Sequence, residues 1–205
     1  MPKSSAKWTR RAAARPDEIL DAALDVFIEA GFDAARMDDI AARAGISKAG
    51  VYLYFDSKEA LLRALISREI APIAQNLAML AEAGSGDPVG TIRLLGQVAA
   101  TQLADARVFA VPRLMISISN RFPDLARHYR TVVVETAKGA LEKLIAGGIA
   151  TGVFRNVDPE AAVRTIAGPM IFAALWKHVL GGDTTATPDE IATAHIDLLL
   201  KGLTP

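Results

Sequence analysis

Two lysines stand where a lysine is electrostatically out of place. Ser47 reads as a helix N-cap, with Ile46 and Val51 spaced as the apolar staple around such a start, so Lys48 opens a helix. Asp56, followed three residues on by Glu59, marks a second start with Lys58 in its first turn. The helix dipole is positive there and disfavours a cation. Two readings fit: a solvated lysine at a cost of about 0.3 kcal/mol, or a lysine whose counter-ion is a nucleic-acid phosphate, which free helix-start amides also bind. Ala49 and Gly50 leave the start of the first helix nearly without side chains. Close approach to a DNA groove would justify a glycine that costs up to about 1 kcal/mol in a helix. Tyr52 and Tyr54 offer hydroxyls to phosphates or base edges, although one of them fits the core equally well with its hydroxyl at the rim. Val51 and Phe55 are assigned to the core.

Catalysis finds no comparable support. The three histidines, His128, His178 and His195, are scattered, and no Ser-His-Asp arrangement, metal-ligand spacing or glycine-rich phosphate loop exists. Without cysteine there is no disulfide, thiolate metal site or thiol nucleophile. Neither an enzyme nor a metal or cofactor site is expected.

The elements that must position these residues are helical. Apolar residues Ile19, Leu20, Ala23, Leu24, Phe27 and Ile28 make an i, i+3, i+4 stripe from Pro16 onward, and Gly31 sits where a left-handed cap would close it, with Phe32 as the apolar contact. A short second helix runs from Met37 through Ile40 and Ala41 to Ala44, closed by Gly45. The third spans 48–55, and a long fourth continues through Leu61, Leu62, Leu65, Ile66 and Ile70, with Pro72 as a bend within it. After a Gly/Ser/Asp/Pro break at 83–88, helical spacing returns over 89–103, 108–120, 124–150, 159–180 and 188–203. No segment alternates apolar and polar residues, so the fold class is all-α.

The 205 residues are 51% hydrophobic and 22% charged, with zero formal net charge, which implies a packed core and places any nucleic-acid affinity in local charge. Residues 1–15 form a basic, flexible arm: Lys3, Lys7, Arg10, Arg11 and Arg15 all precede the first acid, Asp17. Such an arm either adds phosphate or minor-groove contacts or is a solubilising tail, and Trp8 within it has no evident core to join. No signal-peptide pattern follows it, and no segment reaches the roughly 20 apolar residues of a membrane span. A soluble, cytoplasmic protein without a membrane partner is expected.

Gly31-Phe32, Asp39-Ile40-Ala41, Ala44-Gly45-Ile46-Ser47-Lys48, Val51-Tyr52-Leu53-Tyr54-Phe55 and Lys58-Glu59-Ala60-Leu61 together resemble the N-terminal signature of the TetR family. The resemblance implies a nine-helix homodimer whose helices one to three bind DNA. It makes 16–60 the helix-turn-helix domain and 61–205 the ligand-binding and dimerisation domain. It also implies that 48–55 is the recognition helix, that Lys48, Ala49, Tyr52 and Tyr54 touch DNA beside the Ser47 cap and Gly50, and that Lys58 meets a phosphate. The chain departs from the family at Ala35 and Arg36, where a hydroxyl usually caps helix two. Arg36 is then a substitute phosphate ligand, with Arg43 as a further candidate.

Residues 113–126 are similar to a segment of AefR-like regulators, which implies a small-molecule effector. Phe109, Met115, Ile118, Met170, Phe172 and Trp176 are the candidate apolar lining, with Arg113, Asn120 and His178 as polar anchors. Each of these fits a helical core stripe as well. Pro112 and Gly168-Pro169 interrupt helices six and eight. Helix eight (Ala161, Ala162, Ala167, Ala173, Ala174) and helix nine (Ile191, Ile196, Leu198, Leu199, Leu200) are apolar enough to pair with a second copy. The expected partner is then double-stranded DNA carrying a palindromic operator, read by two heads about 34 Å apart. The expected activity is repression relieved by a largely apolar ligand, the alternative being control by a protein partner without any small-molecule effector.

Overall fold

The computed structural model of the chain describes residues 5–182 and 185–205, with side chains from residue 15 onward. The expectations for Lys3, Lys7, Trp8, Arg10 and Arg11 therefore lie outside the described side chains. Nine helices and no strand occur among the described residues. α1 is Ser5–Ala34, α2 Met37–Arg43 and α3 Lys48–Tyr52. α4 is built of three contiguous pieces, Lys58–Leu65, Ile66–Ile70 and Ala71–Ala83. α5 is Pro88–Ala104 and α6 Ala106–Ile118, while α7 joins Pro123–Tyr129, Arg130–Val134 and Glu135–Ala150. α8 is Pro159–His178 and α9 Pro188–Leu203.

Local chemistry explains most of these boundaries. Side chains of Asp87, Asp105, Asp158 and Thr187 accept backbone N–H groups at the starts of α5, α6, α8 and α9, and Pro follows the cap in α5, α8 and α9. α4 survives Pro72 by widening: the ring would collide with the carbonyl four residues back, and the helix takes a π turn over Ile66–Ile70 just before it. The larger departures from the sequence reading are in the N-terminal helices. α1 is helical from Ser5, passing through Pro16 where its start was expected. Gly31 breaks α1 at φ 77° and ψ 165°, an extended left-handed conformation open to glycine alone, instead of the helical αL cap. α3 ends at Tyr52, three residues early, because the N–H groups of Tyr54 and Phe55 both turn back to the carbonyl of Val51.

Buried side chains fall into two clusters. The first joins α1 (Leu20, Leu24, Phe27), α2 (Ile40), α3 (Val51) and the start of α4 (Leu61, Leu62, Leu65) to α6 (Val111, Leu114, Ile118). The second gathers the end of α4 with α5, α7, α8 and α9, through Ile92, Leu95, Ile145, Ile166, Ile196 and Leu200. Each fully buried Leu, Ile or Phe contributes about 1.5–3 kcal/mol. α6 therefore shares its core with the three N-terminal helices.

Candidate nucleic-acid interface

Gly45, at φ 66°, closes the turn between α2 and α3. The Ser47 hydroxyl accepts the Gly50 N–H at 3.1 Å, as its cap role requires. Val51 is fully buried and pins α3 to the core. The opposite side is open: Lys48 and Ala49 are exposed, Gly50 is half-buried, and Tyr52 and Tyr54 are 43% and 41% exposed, so neither tyrosine belongs to the core. Leu53 between them is 83% exposed. Sequence reading passed over it, since periodicity assigns a leucine to the core by default.

Two of the cations at this tip, Lys48 and Arg43, already have partners. Lys48 donates to Asp38 at 2.9 Å, and that hydrogen bond, reinforced by the carboxylate's charge, raises the lysine's pKa above 10.5. Arg43 forms a two-pronged pair with Glu29 at 2.9 and 2.5 Å, whose hydrogen bonds hold the carboxyl below its ordinary 4.5. Exposed pairs of this kind are weak and readily exchanged, so a phosphate can replace either carboxylate. Arg36 occupies the N-cap position of α2, makes no cap hydrogen bond, and is exposed and unpaired among the described residues.

Lys58 is different. Ser57, not Asp56, caps α4, accepting the Ala60 N–H at 3.1 Å, which makes Lys58 the first helical residue. Its ammonium donates to the carbonyls of Phe32 at 2.7 Å and Asp33 at 3.0 Å and lies 5.0 Å from the centre of the Phe32 ring. The carbonyl-rich end of α1 is thus a negative partner that lay hidden in the sequence. One ammonium N–H is left over.

The residues nominated for an effector site do not converge. Met115 and Ile118 are buried in the first cluster and Met170 in the second. Phe109 is buried and stacks on His178 at 5.2 Å, and His178 Nε2 donates to the Leu103 carbonyl at 3.0 Å. Arg113 is half-buried, Asn120 is exposed in the turn after α6, and Phe172 and Trp176 face outward. A groove of about 160 Å³ lies instead between α5, α8 and the start of α9, lined by residues that include Leu103, Ala104, Met170, Ala174, Lys177 and Ile191. Only Met170 of the nine nominees lines it. Helices α8 and α9 also sort differently from expectation. Ala162, Ala174, Ile196 and Leu200 are buried within the subunit, whereas Ile171, Phe172, Trp176, Val179, Leu180 and Leu198 form the exposed apolar set.

Comparison with known proteins agrees with this geometry. Residues 19–65 match the family described as bacterial regulatory proteins, tetR family, and residues 91–199 match the C-terminal domain of AefR-like transcriptional repressors. The HTH-type transcriptional regulator RutR of Escherichia coli (strain K12) is 30% identical over 171 residues, covering 80% of this chain and 76% of RutR. A TetR-family regulator from Mesorhizobium loti shares the fold with a TM-score of 0.78 at 22% identity, over 95% of this chain and 99% of its own. FadR from Bacillus subtilis, solved in complex with stearoyl-CoA, does so with a TM-score of 0.72 at 20% identity, over 91% and 98%.

Proposed function

Because this chain belongs to the TetR family of bacterial DNA-binding transcriptional regulators, we propose that it is a homodimeric repressor whose operator affinity falls when a small, largely apolar ligand binds its C-terminal helices. Residues 16–60 are the reading head and 61–205 the ligand-binding and dimerising part. The observation that carries this reading is the open side of α3 and of the turn after it, where Lys48, Ala49, Gly50 and Tyr52, and then Tyr54, present donors and little bulk away from a buried Val51. Such a tip fits a major groove, with Arg36, Arg43 and Lys58 near enough in sequence and fold to meet flanking phosphates. The pairing of α8 and α9 with those of a second copy supplies the two heads that a palindromic operator needs.

Ligand control rests on population shift: the ligand must bind better to a state whose heads miss successive grooves, and operator must then weaken ligand binding by the same factor. The apolar groove beside Lys177 and the acyl ligand of the fold neighbour FadR support an effector of this kind. The groove's volume favours a second reading, since ligand sites commonly run to about 300–1,000 Å³. In that reading a protein partner controls the bound regulator. Selection of fragments from the source organism's genomic DNA tests the first step, with enrichment of a two-fold symmetric site expected. Enrichment of no fragment overturns the proposal. Titrating the enriched duplex complex with octanoate and octanoyl-CoA then separates the readings, release supporting ligand control and full retention supporting the partner.

A further inference from the structure

Every fourth residue of α1 from position 17 to 33 is acidic: Asp17, Asp21, Asp25, Glu29 and Asp33. From Asp17 to Glu29 this spacing stacks four carboxylates along one face, where they repel one another, while Asp33 follows the break at Gly31. Four arginines from other elements resolve the repulsion. Arg68, in the π turn of α4, donates to the Asp17 carbonyl at 3.0 Å and to Asp21 at 2.7 Å. Arg107, in the first turn of α6, pairs with Asp25 at 2.6 Å and reaches Asp21 at 3.6 Å. Arg43 takes Glu29. Arg121, just past the end of α6, grips Asp33 through two parallel bonds of 2.8 and 2.7 Å.

α6 is thereby fastened to α1 at both of its ends. Between the fastenings the contact is apolar, Val111 and Leu114 sharing a core with Leu24 and Phe27, and apolar contact alone is non-directional. The two-pronged Arg121–Asp33 pair and the single Arg107–Asp25 bond are directional and fix the register that such packing leaves loose. α6 also reaches the groove: Phe109, two residues beyond Arg107 on the same helix, stacks on His178, which neighbours Lys177 and bonds to the carbonyl of Leu103, both groove residues.

We infer that Arg107 and Arg121 are positioning residues that set the tilt of the reading head by clamping α1 to the two ends of α6. This rests on the DNA-binding reading above. Each pair is exposed and individually weak, so the clamp sets orientation and adds little to stability.

The test uses the full chain. Wild-type protein first selects its site from a random duplex pool, and affinities are then measured for that site, for a single half-site, and for sites with one or two base pairs inserted at the centre. The wild type is expected to lose at least about tenfold on insertion, as two rigidly aimed heads must. Arg107→Gln with Arg121→Gln should lose no more than about threefold, bind the half-site as the wild type does, and melt within about 4 °C of it. Arg121→Glu alone should loosen spacing, and adding Asp33→Arg should restore it, which keeps the test valid if the double variant does not fold. Unaltered spacing discrimination in the folded variants overturns the clamp and leaves the DNA-binding reading standing. A wild type that selects no duplex overturns that reading, and the clamp with it.

Discussion

At the scale of single residues, Lys48 and Lys58 look alike in sequence and differ in their partners. Lys48 holds only an exposed carboxylate, so Lys48→Ala should weaken operator binding, lower the slope of log affinity against log salt by about 0.9, and leave the melting temperature unchanged. An unchanged slope would place this lysine in solvent. Lys58 holds two carbonyls at the end of α1 besides the N–H it has left for a phosphate. Lys58→Ala should therefore cost about 1 kcal/mol of stability as well as DNA affinity, read by urea unfolding and by binding to the same duplex. Wild-type unfolding would contradict a stabilising role for these two hydrogen bonds. His128 carries a pH prediction. Burial and then the nearby Arg63 charge lower its pKa below 6.5, while its Nε2 lies 3.3 Å from the Ser67 hydroxyl. Below that pH the unfolded chain takes up a proton that the folded chain resists, so this contribution to stability is present above about 6.5 and lost as pH falls. Glu29 and Asp33, lowered by hydrogen bonds from Arg43 and Arg121, act the same way only beneath 4.5 and 3.8. His128→Gln should flatten the fall in urea midpoint between pH 7 and 5.5, and an undiminished fall would locate the proton elsewhere.

At the scale of elements, legibility tracked how local the determining force is. The five helices after position 88 lie close to their expected spans because caps and prolines act within one turn of the residues that encode them. Ser57 displacing Asp56 is an error of one residue among adjacent cap-forming side chains. The partners of Lys58 and the sorting of α8 into buried and exposed apolar faces depend on chain segments distant in sequence. Periodicity reports that a residue is apolar, not whether its face meets its own subunit, which is why Phe172 and Trp176 read as pocket and stand exposed. Gly31 shows the same division. Its position at the end of α1 was legible, but its ψ of 165° was not. No atom lies within 4 Å of a Cβ added there, so Gly31→Ala tests backbone strain alone and should destabilise by about 1–3 kcal/mol in chemical unfolding. A cost near zero would mean that the turn relaxes freely.

At the scale of the whole molecule, the unsatisfied quantity is the outer surface of α8 and α9. Gly168, Phe172, Trp176 and Val179 recur at helical spacing on an exposed face of α8 and its C-terminal extension, the rings of Phe172 and Trp176 lie 6.3 Å apart, and Leu198 of α9 is 72% exposed. Soluble monomers seldom leave contiguous patches of this kind in water, and an isologous pairing buries the same residues twice. Charge placed there opposes association without touching the subunit's own core, whose share of these helices is Ala162, Ile166, Met170, Ala174, Ile196 and Leu200. Phe172→Glu with Leu198→Glu should thus yield a monomer in sedimentation equilibrium that keeps its helical circular dichroism. Uncoupling the heads removes the advantage of a second, intramolecular contact, so operator affinity should drop by a factor on the order of 100 or more, while affinity for a single half-site is retained. A charged variant that still sediments as a dimer would move the interface to another face, and one that binds the full operator undiminished would mean that a single head suffices.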